Sequence, residues 1–164
     1  MKTTFIILEV LMINLTVNAQ TFEETQQWIT NNVNSSTWYF SHQVSYDYNS
    51  EKLLLIKVLI NPRLSAIVRE INPANVTSVS ISKAESNDGL KSIRLNFKYG
   101  GTKVKSYFVD DKFEIIEGVP IQETNMHGLD IYAECDLDKL KKIKKAYIHL
   151  FNELGIKVKD GDYF

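Results

Sequence analysis

The chain has 164 residues, of which 44% are hydrophobic and 24% are charged, and this composition excludes an intrinsically disordered chain. The 19 Lys and Arg residues nearly balance the 20 Asp and Glu residues, and the net charge of −1 argues against a general nucleic-acid binder. The single cysteine, Cys135, excludes an internal disulfide and a metal site built from several thiolates.

The first 19 residues have the pattern of a signal peptide. Lys2 precedes an apolar run over residues 5–15, and Val17 and Ala19 occupy the small-residue positions before a cleavage site. The run is shorter than the ~20 apolar residues that span a bilayer, so no transmembrane segment is expected. We predict cleavage before Gln20 and export to the periplasm, the cell surface or the medium. The alternative is that the run is a buried helix or strand of the fold.

A helix is predicted at the start of the mature chain. Thr21 and Glu24 form a capping box, in which each side chain accepts a hydrogen bond from the other residue's backbone N–H. Core-facing residues then recur at helical spacing, and these are Phe22, Thr25, Ile29 and Val33. The asparagine and serine residues of 31–36 are expected to end the helix.

The middle of the chain is rich in predicted strands. They cover residues 38–46, 52–60, 76–81, 92–99, 103–109, 113–117 and 129–134. Nearly every residue of 52–60 is apolar, which is typical of a strand covered on both faces. Gly100 and Gly101 are expected to close a two-residue hairpin, residues 64–71 are read as a loop or short helix, and residues 118–128 as a loop.

An amphipathic helix is predicted near the C-terminus, with Asp136 as its N-cap and Gly155 as its C-terminal signal. Its apolar face comprises Leu137, Leu140, Ile143, Tyr147, Leu150, Phe151 and Leu154. Its opposite face largely carries Lys141, Lys142, Lys144 and Lys145. We expect this helix to cap the open end of a small barrel. Residues 20–155 are read as one domain and residues 156–164 as a loose tail.

The order of these elements predicts an α+β protein that is mainly β. About seven antiparallel strands form either a barrel or two packed sheets, between an N-terminal helix and a capping helix. Residues 21–29, 75–83 and 137–155 resemble small exported bacterial proteins of unknown function with a pleckstrin-homology-like (PH-like) fold. The resemblance covers most of residues 20–155 and implies a PH-like barrel. Its motifs are packing patterns, so it implies no catalytic chemistry.

Some PH-like domains bind phosphoinositide headgroups, and this binding needs a basic cluster in the loop between the first two strands. Here the loop spans residues 46–52 and contains two acidic residues, Asp47 and Glu51, and one basic residue, Lys52. We therefore expect no phosphoinositide site. PH-like folds also serve as protein-binding scaffolds, so the fold alone does not choose the function.

Residues able to carry catalysis or bind a metal form no recognisable motif. There is no Gly-x-Ser-x-Gly sequence, and Asp136 and Asp138 would oppose a reactive thiolate at Cys135, which we interpret as a structural thiol. A disulfide between two chains is the alternative. The best metal-like group is His127, Asp130, Glu134 and Asp136, but its spacing matches no known signature. We therefore expect no cofactor, no metal and no enzymatic activity.

The candidate interaction residues lie in two groups. Tyr39, Tyr46 and Tyr48 lie on or beside the first strand, where exposed aromatic side chains make good contact anchors. Lys141, Lys142 and Lys145 lie on the polar face of the last helix. We interpret the chain as an exported protein-interaction or scaffold domain with an unknown protein partner. The alternatives are a carrier of a small apolar ligand in the barrel mouth and an unrecognised hydrolase.

Overall fold

The computed structural model describes residues 21–33, 40–59, 66–83, 91–133 and 135–161. Two helices, a 3-10 helix and nine strands lie in these ranges. In chain order they are α1 (Phe22–Val33), β1 (Phe40–Asp47), β2 (Lys52–Leu59), β3 (Ala66–Ile71), the 3-10 helix (Pro73–Asn75), β4 (Val76–Lys83), β5 (Lys91–Phe97), β6 (Thr102–Val109), β7 (Gln122–Met126), β8 (Gly128–Tyr132), α2 (Leu137–Glu153) and β9 (Lys159–Asp160). The predicted signal peptide and Tyr39 lie outside the described residues.

The strands form two separate sheets. The first sheet has the order β1-β2-β3-β6-β7 and the second has the order β8-β5-β4-β9. The predicted α+β class, mainly β, is confirmed. Among the described strands no hydrogen-bonded ladder joins the two sheets into a closed barrel, so the architecture is that of two sheets. The pairing is antiparallel as predicted, except that β9 runs parallel to β4.

The predicted Gly100-Gly101 hairpin is wrong, because the strands on either side of it belong to different sheets. β5 pairs with β4 and β8 in the second sheet, whereas β6 pairs with β3 and β7 in the first. The turn is tight, since Gly101 N–H donates to the Lys98 carbonyl at 2.9 Å. Lys98 N–H in turn donates to the Asn75 carbonyl at 3.0 Å. Turn residues therefore indicated the change of direction correctly, but they do not specify which strands pair.

The main core lies between the sheets and the two helices. Helix α1 begins with the predicted capping box, in which Thr21 N–H donates to Glu24 Oε2 at 3.0 Å and Glu24 N–H donates to Thr21 Oγ1 at 3.2 Å. Helix α2 packs against α1 and over β4 and β5, and therefore covers the second sheet. Fully buried side chains of this core include Ile29, Leu53, Val79, Ile93, Leu95, Leu140, Leu150 and Phe151.

Strand β2 buries side chains on both of its faces, as its apolar sequence predicts. Leu53 and Leu55 belong to the main core. Ile56 points to the other face, where it packs with Val68 and Val109 in a second, smaller cluster. Both faces of the middle of the first sheet are therefore apolar.

Residues 156–161, the described part of the predicted loose tail, are instead held in place by hydrogen bonds and an ion pair. Ile156 N–H donates to the Phe151 carbonyl at 2.9 Å, and Gly161 N–H donates to the Val79 carbonyl at 3.0 Å. Lys144 Nζ lies 2.7 Å from Asp160 Oδ1, and the Lys144 side chain is only 6% exposed. The prediction that Lys144 lies on the polar face of the helix is therefore wrong, since this ion pair joins α2 to β9.

Candidate functional site

Three large apolar side chains are exposed in the loop 110–121, which follows β6. Phe113, Ile115 and Ile121 are 55%, 48% and 46% exposed. Ile115 pairs with Val109, and the residue after Ile121 pairs with Ser106, so both isoleucines lie along the same edge of β6. Grouped apolar side chains in solvent are typical of contact surfaces.

The backbone of this loop is strained at Phe113. Its φ is 62°, in the left-handed region that bulky residues rarely adopt. The Asp110 carboxylate holds the turn, because Oδ1 accepts hydrogen bonds from the N–H groups of Lys112 and Glu114, each at 2.9 Å. Phe113 N–H also donates to the Asp110 carbonyl at 3.1 Å. Hydrogen bonds to Asp110 therefore fix the backbone of the turn that carries an exposed aromatic ring.

Strand β7 follows the loop directly and is an edge strand. In the described part of the first sheet its neighbour is β6, and its residues 122–125 are exposed. An edge strand presents unpaired backbone N–H and C=O groups, which can pair with a strand from another chain. We call loop 110–121 and β7 together the docking surface.

Sequence reasoning missed the docking surface. Residues 113–117 were predicted to be a strand, but there only Ile115 forms a bridge, and the chain turns at Phe113 and Gly118. Residues 118–128 were predicted to be a loop, yet β7 lies within them. The strand QETNM has no apolar alternation because both of its faces are exposed, so its sequence carries no strand signal.

The predicted tyrosines form an aromatic cluster with the first turn of α1. The Tyr46 and Tyr48 ring centres lie 4.9 Å apart, and each ring meets Phe22 edge to face at 5.8 and 6.3 Å respectively. Tyr48 is 65% exposed, and its hydroxyl lies 3.1 Å from Glu23 Oε1. These contacts fasten α1 to β1, and Tyr46 is half-buried.

The predicted lysines lie on a different element from the tyrosines. Lys141, Lys142 and Lys145 are exposed on α2, with Lys141 Nζ 3.8 Å from Asp138 Oδ1. Their role in binding stays a prediction.

Two of the four predicted metal-like residues, Asp130 and Asp136, have structural partners. Asp130 accepts a hydrogen bond from Ser92 at 3.1 Å and forms a 2.7 Å ion pair with Arg94, while Asp136 caps α2 through a 2.7 Å hydrogen bond from Lys139 N–H. Glu134 lies outside the described residues, and Cys135 is half-buried. Among the residues that the structure describes, no group of three His, Cys, Asp or Glu side chains could hold a metal ion.

A polar groove lies on the first sheet near the Gly100-Gly101 turn. Its volume is about 460 Å³, and its lining includes Lys52, Glu70, Lys105, Glu123 and Asn125. Lys105 Nζ lies 3.6 Å from Glu70 Oε1, so opposite charges meet across the strands. A lining of charged and amide groups does not suit the apolar ligand of the predicted carrier.

Three basic side chains meet on adjacent strands of the first sheet. His42 on β1 is paired with Lys57 on β2, and Arg69 on β3 lies on the same face. Burial, together with the charges of Lys57 and Arg69, lowers the pKa of His42 to about 4. Burial and the charge of Arg69 also lower the pKa of Lys57.

The pKa of His42 predicts that acid destabilises the fold. Between pH 6.5 and about 4 the unfolded chain protonates this histidine and the folded chain does not, so the free energy of unfolding falls as pH falls through that window. Across this whole window the free energy of unfolding should fall by about 3 kcal/mol. Urea unfolding of the wild type and of His42→Gln at several pH values checks it, because the variant should show a shallower slope. Parallel slopes would mean that His42 is not the titrating group.

The comparisons with known proteins give no match: no family model, no curated protein and no solved structure is significantly similar to this chain. The resemblance to PH-like proteins therefore stays a prediction. No helix of the described residues is long and apolar enough to cross a membrane.

Proposed function

We propose that this chain is an exported, non-catalytic domain that binds another protein through the docking surface. The observation that carries the proposal is the strained and exposed Phe113. A left-handed conformation costs about 1–2 kcal/mol for a residue with a Cβ, and a ring that is half exposed returns little of this through the core. A contact between this ring and another protein would explain why an exposed residue is held in a strained backbone conformation.

The partner is best described as an extended segment of another protein. Alternate backbone groups of β7 are open to a new strand, and Ile121 lies at the start of that edge. A second strand would gain main-chain hydrogen bonds from β7 and side-chain contacts from the loop. Three half-exposed side chains offer only a few hundred Å² of contact area, whereas a stable interface buries roughly 800 Å² of accessible surface on each partner. This size favours a short segment over a second folded copy of the chain.

Replacing Phe113 separates binding from stability. Phe113→Gly should raise the free energy of unfolding by about 0.5–1 kcal/mol, because relief of the strain exceeds the entropic cost of glycine. The same variant, immobilised as the mature chain, should retain clearly less of the partner that the wild type retains from the source cells. Urea unfolding and quantitative mass spectrometry of the retained proteins measure the two effects.

Tyr99 provides the matched control, since it is a fully exposed aromatic residue in a turn outside the docking surface. Tyr99→Ala should leave partner retention unchanged. If Phe113→Gly instead destabilised the fold, the ring would be a structural anchor. If both variants lost the partner equally, the retention would reflect exposed aromatic side chains in general. Either result would contradict the proposal.

Export of the chain is part of the proposal. It is supported by the signal-peptide pattern of residues 1–19, and the first described helix begins beyond that pattern, at Phe22. Mass spectrometry of the protein from its source cells should find Gln20 at the N-terminus. Recovery of the chain with an intact N-terminal segment would contradict export by cleavage.

We also propose a relationship to PH-like proteins. It is supported by the resemblance of residues 21–29, 75–83 and 137–155, and by a C-terminal amphipathic helix packed over antiparallel strands. A closed barrel is not part of this proposal, since the described strands form two separate sheets. A solved structure of a protein that shares the three segments tests the relationship: the same helix over antiparallel strands is expected, and a different fold would contradict it.

A further inference from the structure

A second hollow lies where the C-terminal segment meets β4. Its volume is about 520 Å³, and Lys98, Lys157 and Lys159 reach it from the end of β5, from the segment after α2 and from β9. The remaining lining includes Val76, Ser78 and Ile156. Among the residues that the structure describes, no carboxylate lines it, so three lysines border one hollow in a chain whose net charge is −1.

The fold fixes the backbone on which these three lysines are carried. Side chains of the C-terminal segment alternate, so that Asp160 reaches Lys144 on α2 at 2.7 Å while Lys159 lies opposite Ser78 on the outer face of the second sheet. Gly161 N–H donates to the Val79 carbonyl at 3.0 Å and keeps the segment against β4. The backbone of Lys98 is bonded to Asn75 at 3.0 Å, which sets the third lysine beside the other two.

The lysines beside this hollow lack a described partner for their charges. Within the described part of the chain, Lys98, Lys157 and Lys159 form no ion pair, and all three side chains are exposed. Three like charges in one hollow repel one another, and a bound anion would remove that repulsion.

Ser78 adds a donor of the right kind. Its Oγ accepts a hydrogen bond from Asn96 Nδ2 at 3.1 Å, which leaves the hydroxyl hydrogen available to an oxygen of a ligand. A phosphate group offers several acceptor oxygens and close to two negative charges, which suits three ammonium groups and a hydroxyl.

We propose that the hollow between β4 and the C-terminal segment binds a phosphate group, held by Lys98, Lys157, Lys159 and Ser78. This site lies outside the docking surface and does not depend on its function. The phosphate group belongs either to a soluble phosphate ester or to a lipid headgroup.

Titration calorimetry of the mature chain with inorganic phosphate tests the proposal. The triple variant Lys98→Gln, Lys157→Gln, Lys159→Gln should bind phosphate about tenfold more weakly than the wild type. The control variant Lys141→Gln, Lys142→Gln, Lys145→Gln loses the same charge from α2 and should keep the affinity within about twofold. Circular dichroism establishes that both variants are folded.

A parallel sedimentation experiment uses phosphatidylcholine vesicles with and without phosphatidic acid. Binding to the acidic vesicles that the first triple variant loses supports the site and identifies a headgroup as the source. Binding of inorganic phosphate without vesicle binding supports the site with a soluble ester. Equal losses in the two triple variants, or no binding of either probe, would overturn the proposal.

Discussion

Leu150→Ala should lower the free energy of unfolding by about 2–5 kcal/mol, because it opens a cavity in the main core. Leu150 is fully buried on the apolar face of α2. That face packs against α1 and the second sheet, so the surroundings have few ways to close around the smaller side chain. Urea unfolding followed by circular dichroism measures the loss.

Lys142→Ala is the matched control, since Lys142 lies in the same helix with an exposed side chain. Its effect should stay below about 0.5 kcal/mol. Similar midpoints for the two variants would show that the buried face of α2 has been assigned wrongly. The arrangement of both helices over the second sheet would then need revision.

Gly101→Ala should lower the free energy of unfolding by about 2–4 kcal/mol, because two penalties act at one position. Gly101 has a φ of +77°, and a Cβ there would lie 2.8 Å from the Met126 carbonyl oxygen, a backbone atom that cannot turn away. The turn carries the chain from the second sheet to the first, so a shift here also disturbs the β6–β7 pairing. Thermal or urea unfolding measures the effect.

Gly100 separates the two penalties. Its φ is +91°, yet a Cβ would meet no atom within 4 Å. Gly100→Ala should therefore show the conformational penalty alone, about 1–2 kcal/mol. Equal losses for Gly100→Ala and Gly101→Ala would mean that Met126 does not approach Gly101 as closely as the structure has it.

Elements with a strong periodic pattern could be predicted from the sequence. The two helices followed from their apolar spacing and from caps such as Thr21 and Asp136, and both caps form the expected hydrogen bonds. Strands β2 and β5 followed from apolar content and alternation. In each of these elements the spacing of apolar residues along the sequence matches the side chains that the fold buries.

The elements that were missed have no apolar spacing that matches their burial. Strand β3 places Val68 and Ile71 on opposite faces of the first sheet, and both are buried, so no alternation marks it as a strand. Strand β7 is exposed on both faces. The pairing of β6 with β3 instead of β5 depends on contacts distant in sequence, which turn residues such as Gly101 do not encode.

Even less of the candidate site than of the fold could be predicted from the sequence. The exposure of Phe113, Ile115 and Ile121 depends on how the loop folds back on β6, and no local pattern encodes that. Lys144 was also predicted wrongly. Its position on the helix indicated exposure to solvent, but in the fold its side chain is buried and forms an ion pair with Asp160. Burial of a polar residue depends on its partner, and here that partner follows later in the chain.

Photocrosslinking within the source cells tests the docking surface most directly. A photoreactive phenylalanine analogue at position 113 should give a discrete adduct with another protein, and the same analogue at position 99 should give none. Asp110→Ala, which removes the hydrogen bonds that hold the loop, should weaken the adduct at position 113. Equal labelling from positions 99 and 113, adducts only with a second copy of the chain, or no adduct at all would contradict the account.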